Sequence, residues 1–209
     1  MVKVISKNFL SKDLIKLILE HSDDQCNCAP DYRETADNNW IIYFEPWLQF
    51  IDKCLEYRSQ IELDYNCDSS RLVDVWAKRH KDTWNLEDHT KFQRENADIH
   101  KDYFKGFSKV INLQVYISEN IPPEAGTCFW NYTGENLKAD TIGGALEVAT
   151  WPYVNWNLGK QIPFEPNVAF TYNAGPDGDY HSAPTTEMLI ESEVPSHIRE
   201  VLIIRFRYN

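Results

Sequence analysis

The chain has 209 residues, the size of a single domain, and its 43% hydrophobic and 25% charged content gives it material for a sizeable core. Its 21 basic and 32 acidic residues leave a formal net charge of −11, which argues against nucleic acid as a partner gripped through its phosphates. No apolar run reaches the roughly 18 residues of a membrane helix, the opening residues lack a signal-peptide core, and an odd count of 5 cysteines points to reduced thiols in a cytoplasmic protein.

In chain order, Ser11 is placed to cap a helix, because its hydroxyl can accept from an N–H that the first turn leaves without a partner. Leu14, Ile15, Ile18 and Leu19 then form one apolar stripe. The polar run from Asp23 to Asn39, with Pro30, predicts a loop, and Cys26 and Cys28 read as incidental loop cysteines. A second helix is predicted from near Pro46, where Trp47, Phe50, Ile51, Cys54 and Leu55 recur at helical spacing. The spacing of Val73, Trp76 and His80 predicts a third over Ser70 to Trp84. Residues 1–98 are therefore expected to be mainly helical support.

The texture changes after about Ile99. Ile111, Leu113, Val115 and Ile117 alternate with other residues, the period of a strand with one apolar face. Thr127 to Tyr132, Asn167 to Tyr172 and Glu200 to Tyr208 are short β-branched or aromatic runs between Pro and Gly punctuation. Helices followed by antiparallel strands predict an α+β domain in which helices back a β-sandwich, with 1–209 as one domain. The long stretch from Asn131 to Pro163 is a functional-loop candidate, and its Trp151 to Trp156 portion reads as a lid or as a packed crossover.

Six histidines are present, and a His-x-Asp triplet occurs twice, as His80-Lys81-Asp82 and His100-Lys101-Asp102. In a strand, residues i and i+2 share a face and can converge on one ion; in a helix they lie roughly 200° apart and cannot. The first triplet falls in the predicted third helix and reads as coincidence. The second leads into the clearest strand, and His181, in Asp179-Tyr180-His181-Ser182-Ala183-Pro184, is the candidate third ligand on a later strand. Two histidines and one carboxylate with open positions opposite form the facial triad of non-haem Fe(II) oxygenases. A zinc hydrolase would use a similar set with a nearby Glu base.

The last strand carries Arg199, Arg205 and Arg207 on one parity. A buried arginine needs a partner, and its planar guanidinium suits a carboxylate. An arginine at the far end of an iron pocket would receive the distal carboxylate of a 2-oxo diacid.

The order His100-Lys101-Asp102, Gln114-Val115-Tyr116-Ile117, Ala125-Gly126-Thr127, Pro166-Asn167, His181-Ser182-Ala183-Pro184 and Arg199-Glu200-Val201-Leu202 resembles that of the 2-oxoglutarate- and Fe(II)-dependent oxygenases. The similarity is to their prolyl-4-hydroxylase-like and phytanoyl-hydroxylase-like members, over about the C-terminal half. The opening Asn8-Phe9-Leu10-Ser11 also resembles the group's usual start. The resemblance implies a double-stranded β-helix (jelly-roll) core, residues 99–209, backed by N-terminal helices. It implies Fe(II) held by His100, Asp102 and His181, and 2-oxoglutarate as co-substrate with Arg199 on its distal carboxylate. It also implies Tyr116 as a second co-substrate contact. The stretch from His181 to Arg199 is longer than the family's common spacing, as an insertion over Thr185 to Ser196 would make it, and Arg205 stands as a rival for Arg199. The implied reaction consumes dioxygen, hydroxylates a C–H bond of a small molecule or peptide side chain, and releases succinate and carbon dioxide. Related halogenases lack the carboxylate ligand, and Asp102 is present. The alternative from another class is a non-catalytic jelly-roll or cupin-like binding module.

Overall fold

The computed structural model describes residues 1–21, 45–84, 99–102, 105–135, 141–142, 145–149 and 155–209. The expected loop from Asp23 to Asn39, and residues 151–154 of the aromatic stretch, lie outside them.

Three helices precede the main body of strands. In α1 (Lys12–His21) the Ser11 hydroxyl accepts from the Leu14 N–H at 3.1 Å, and Leu14 and Ile18 are buried. α2 (Glu45–Leu55) buries Trp47, Phe50, Ile51 and Cys54, the spacing that puts side chains on one helical face. α3 (Arg58–Tyr65) stops at Asn66, which adopts the left-handed conformation (φ 52°, ψ 53°) that asparagine tolerates better than most residues.

Eleven described strands form two antiparallel sheets. β1 (Val2–Lys7), β9 (Val168–Asn173), β4 (Lys109–Tyr116), β11 (His197–Tyr208) and β2 (Leu72–Trp84) make the first, in that spatial order. β6 (Thr141–Ile142), β7 (Ala145–Ala149), β3 (Ile99–Asp102), β10 (Tyr180–Ser182), β5 (Thr127–Tyr132) and β8 (Trp156–Ile162) make the second. The chain passes from the first sheet to the second and back at β2–β3–β4–β5, and again at β8–β9–β10–β11. Between Thr185 and Ser196 lies a short helix, α4 (Thr186–Glu191), capped by the Thr185 hydroxyl.

The third helix expected over Ser70 to Trp84 is not a helix. After a short 3-10 turn over Ser69–Arg71 the stretch is β2, and it pairs with β11 from Leu72↔Tyr208 to Trp84↔His197. The helical spacing of Val73, Trp76 and His80 was fortuitous. The pattern that governs is alternation: Val75 and Ala77 join the helix-facing core, while Asp74, Lys78 and Asp82 stand directly opposite Arg207, Ile203 and Arg199. The expected support region therefore also contributes two strands, β1 and β2, to the first sheet.

Each strand of the first sheet separates two environments. Ile111, Leu113 and Val115 of β4 and Leu202, Ile204 and Phe206 of β11 pack with the helices in one buried cluster. On the opposite face, Tyr116, Phe170, Tyr172, Val201 and Ile203 pack with Phe129 and Ile162 of the second sheet. This second face also carries charge, and it forms one wall of the site. Among the described residues, no helix is long and apolar enough to cross a membrane, and Cys54, Cys67 and Cys128 are free thiols.

Candidate metal centre

β10 lies between β3 and β5, and His181 is the cross-strand partner of His100. Their ring centroids are 4.6 Å apart. Asp102, two residues along β3, shares a face with His100. One ligand atom from each of His100, Asp102 and His181 lies within 4.8 Å of the others, the one such group of His, Cys, Asp and Glu among the described residues. The sequence-expected triplet and the distant histidine are thus brought together.

The turn before His181 is tight. Gly178 N–H donates to Gly175 O and Asp179 N–H to Asn173 O, both at 2.8 Å, and a Cβ on Gly178 would lie 2.2 Å from the Asn173 carbonyl oxygen. Only glycine permits that approach without displacing backbone. The His181 ring is 6% exposed, and its Nδ1 lies 3.1 Å from the Asp179 carbonyl oxygen. A carbonyl can only accept, so Nδ1 carries the proton and Nε2 keeps its lone pair for a ligand. Burial, reinforced by the neighbouring His100, pushes the His181 pKa down to about 3, so the ring is neutral as metal binding requires.

Asp102 is held from several sides. Arg205 donates through Nε to Oδ2 at 3.2 Å and through Nη2 to Oδ1 at 3.1 Å, while the Asn112 amide donates to Oδ2 at 3.0 Å. Oδ1 also faces His100 Nε2 at 3.9 Å. Burial alone would raise the carboxyl's pKa, but Arg205 and the two imidazoles outweigh it and hold Asp102 below the ordinary carboxylate range. The Arg205 guanidinium in turn lies 4.9 Å over the Trp76 ring.

Arg199, at the other end of the interior face, is 3% exposed and fully engaged by the chain. Its Nε donates to Ala125 O at 2.8 Å, Nη2 to Thr127 Oγ1 at 3.0 Å, and Nη1 pairs with Asp82. Tyr116 sits beside it, with the Arg199 guanidinium 5.8 Å from the ring centroid. The Tyr116 hydroxyl accepts from Thr127 N–H at 2.8 Å and donates to Ile162 O at 3.0 Å. Burial raises its pKa to about 12 against the pull of Arg199. Arg199 and Arg205, rivals in the sequence, thus belong to different ends of one face.

The residues that sequence reasoning missed are the partners: Asp82 for Arg199, Asp74 for Arg207 and Asn112 for Asp102. Alternation in β2 and β4 was the available signal.

No family model matches the chain, and no curated protein does. Solved structures do match. A prolyl-4-hydroxylase from Pseudomonas putida aligns over 100% of this chain and 85% of its own, with a TM-score of 0.54 and 12% identity. A viral collagen prolyl hydroxylase from Paramecium bursaria Chlorella virus-1, in a 2OG complex, aligns over 100% of this chain and 96% of its own at 12% identity and a TM-score of 0.47. The likeness to the Pseudomonas protein is one of fold.

Proposed function

We propose that this chain is a 2-oxoglutarate- and Fe(II)-dependent dioxygenase on a double-stranded β-helix core, with His100, Asp102 and His181 as the metal ligands. The observation that carries the reading is the meeting of those three ligand atoms within 4.8 Å at one end of a charged sandwich interior. Two imidazoles and a carboxylate suit Fe(II) and leave coordination positions for other ligands. The alternation of β2–β5 and of β8–β11 between the two sheets and the fold likeness to a bacterial prolyl-4-hydroxylase support it.

Ferrous iron, with 2-oxoglutarate and dioxygen, would supply oxidation of a substrate C–H bond with release of succinate and carbon dioxide. The chain's own share is positioning. The Asp179 carbonyl fixes the His181 tautomer and ring. Arg205 spans both Asp102 oxygens and Asn112 holds Oδ2, which fixes the carboxylate with Oδ1 facing His100. Arg199 and Tyr116, joined through Thr127, close the inner end of the space for the co-substrate. The prime substrate is a small molecule or a peptide side chain.

Anaerobic addition of Fe(II) and then 2-oxoglutarate should produce a weak visible charge-transfer band, and admission of oxygen should yield succinate. His100→Ala should show neither. A second reading has one observation in its favour: the Arg205 pair already neutralises Asp102 without a metal, as a cupin-like binding module would require. That module would show no band and no succinate, and a zinc hydrolase would hold zinc and ignore 2-oxoglutarate.

A further inference from the structure

The interior face of β2 and β11 carries a ladder of charges, and three of its cations already have a carboxylate. Arg207 pairs with Asp74, Arg205 with Asp102 and Arg199 with Asp82. Between the last two of these pairs stands Lys78. It lies directly opposite Ile203, one rung from Arg205↔Trp76 on the metal side and two rungs from Arg199↔Asp82 on the other, counting rungs of this face. Cross-strand partners share a face, and Ile203 packs between the sheets with Tyr116, Phe129 and Phe170. The Lys78 side chain therefore enters the same interior.

Among the described residues no carboxylate forms an ion pair with Lys78; the charges that act on it are those of Arg205, Asp102 and Asp82. The Lys78 side chain is half-buried, and an ammonium that gives up water without gaining a paired anion is unfavourable. Burial first, and then Arg205, lower the Lys78 pKa to about 8, with Asp102 and Asp82 opposing. Counting the interior pairs, three arginines meet three aspartates and one positive charge is left over. One rung of a strand face spans two residues, about 6.6 Å, so Lys78 is rooted about a short aliphatic chain's length along the face from the rung of Arg205.

We infer that Lys78, rather than a β11 arginine, receives the distal carboxylate of a 2-oxo dicarboxylate whose oxo-acid end lies at His100, Asp102 and His181. The inference rests on the oxygenase reading. It leaves Arg199 with Asp82 as a structural pair beside the bound carboxylate, and it requires no buried ion pair to break when the co-substrate enters.

The test is calorimetric binding in the presence of Mn(II), comparing 2-oxoglutarate with 2-oxopentanoate, which has the same chain length and no distal carboxylate. The wild-type protein should prefer 2-oxoglutarate. Lys78→Met should weaken 2-oxoglutarate by about tenfold or more, the effect of one charge-assisted bond, and abolish the preference. Its affinities for Mn(II) and 2-oxopentanoate should be unchanged, and Lys78→Arg should retain the preference. A Lys78→Met protein that keeps the wild-type preference, or one that no longer holds Mn(II), overturns the inference. A wild-type protein that binds Mn(II) and neither 2-oxo acid overturns the oxygenase reading itself, and the inference with it.

Discussion

The same three-residue pattern occurs twice on neighbouring faces of this molecule, with different outcomes. His80 and Asp82 lie on β2, His100 and Asp102 on β3; in both, a buried aspartate is paired with an arginine of β11. In the first, His80 Nε2 sits 2.9 Å from Asp82 Oδ1 and the imidazole is used on its own triplet. In the second, His100 and Asp102 stand 3.9 Å apart, and His181 is brought alongside by the β10–β3 pairing. The difference is the strand next door: β3 neighbours β10, which offers a second imidazole, whereas β2, at the edge of its sheet, neighbours β11, which places Val201 opposite His80. A His-x-Asp on a strand becomes a candidate metal centre when the adjacent strand adds a third ligand-type side chain, as His181 does beside His100, and stays a His–Asp pair when it does not.

This contrast can be broken or sharpened experimentally. The largest expected effect is on metal binding. His181→Ala should weaken Mn(II) binding by more than the roughly 10–100-fold typical of losing an outer-shell partner, whereas His80→Ala should leave it unchanged by titration calorimetry. Next in size is Asp82→Ala. It strands the buried Arg199 and should cost about 3–5 kcal/mol of stability in urea unfolding, while the folded variant keeps its metal stoichiometry.

Acid should separate the triplets further. The folded-state pKa of His181 lies near 3, below the unfolded value of 6.5. Its contribution to stability is thus complete above pH 6.5 and lost as pH falls from there toward 3, at no more than about 1.4 kcal/mol per pH unit. Asp82 and Asp102, both lowered, add a further loss below pH 3.8. Urea midpoints of the metal-free protein across that range should show the upper part of this loss disappear in His181→Phe. The smallest effect is expected at His80→Asn. Its half-buried ring should be replaceable within about 1 kcal/mol, as usual for partly exposed positions.

Much of the site was legible because its signals are local. The alternation of Ile111, Leu113 and Val115 marks β4, and His100-Lys101-Asp102 with a later His181 marks the candidate ligands. The character of β2 was not legible in the same way. Its interior face is Asp74, Trp76, Lys78, His80 and Asp82, four of them polar or charged residues that an apolarity-based reading does not assign to a core. They are held inside by arginines more than a hundred residues later, and that register is invisible until β11 is laid beside β2. The same reason hid the roles of Arg199 and Arg205. Their parity was plain, but which carboxylate each meets depends on which end of the sandwich each reaches. β1 escaped notice too, since Val2–Lys7 becomes a strand by pairing with β9 at the far end of the chain.

The most direct test of the account is a Mn(II) titration of the metal-free chain followed by electron paramagnetic resonance. One ion per wild-type chain, and none in the His100→Ala/His181→Ala double variant, is the result expected. A wild-type chain that takes up no ion, or a double variant that titrates like the wild type, would contradict it.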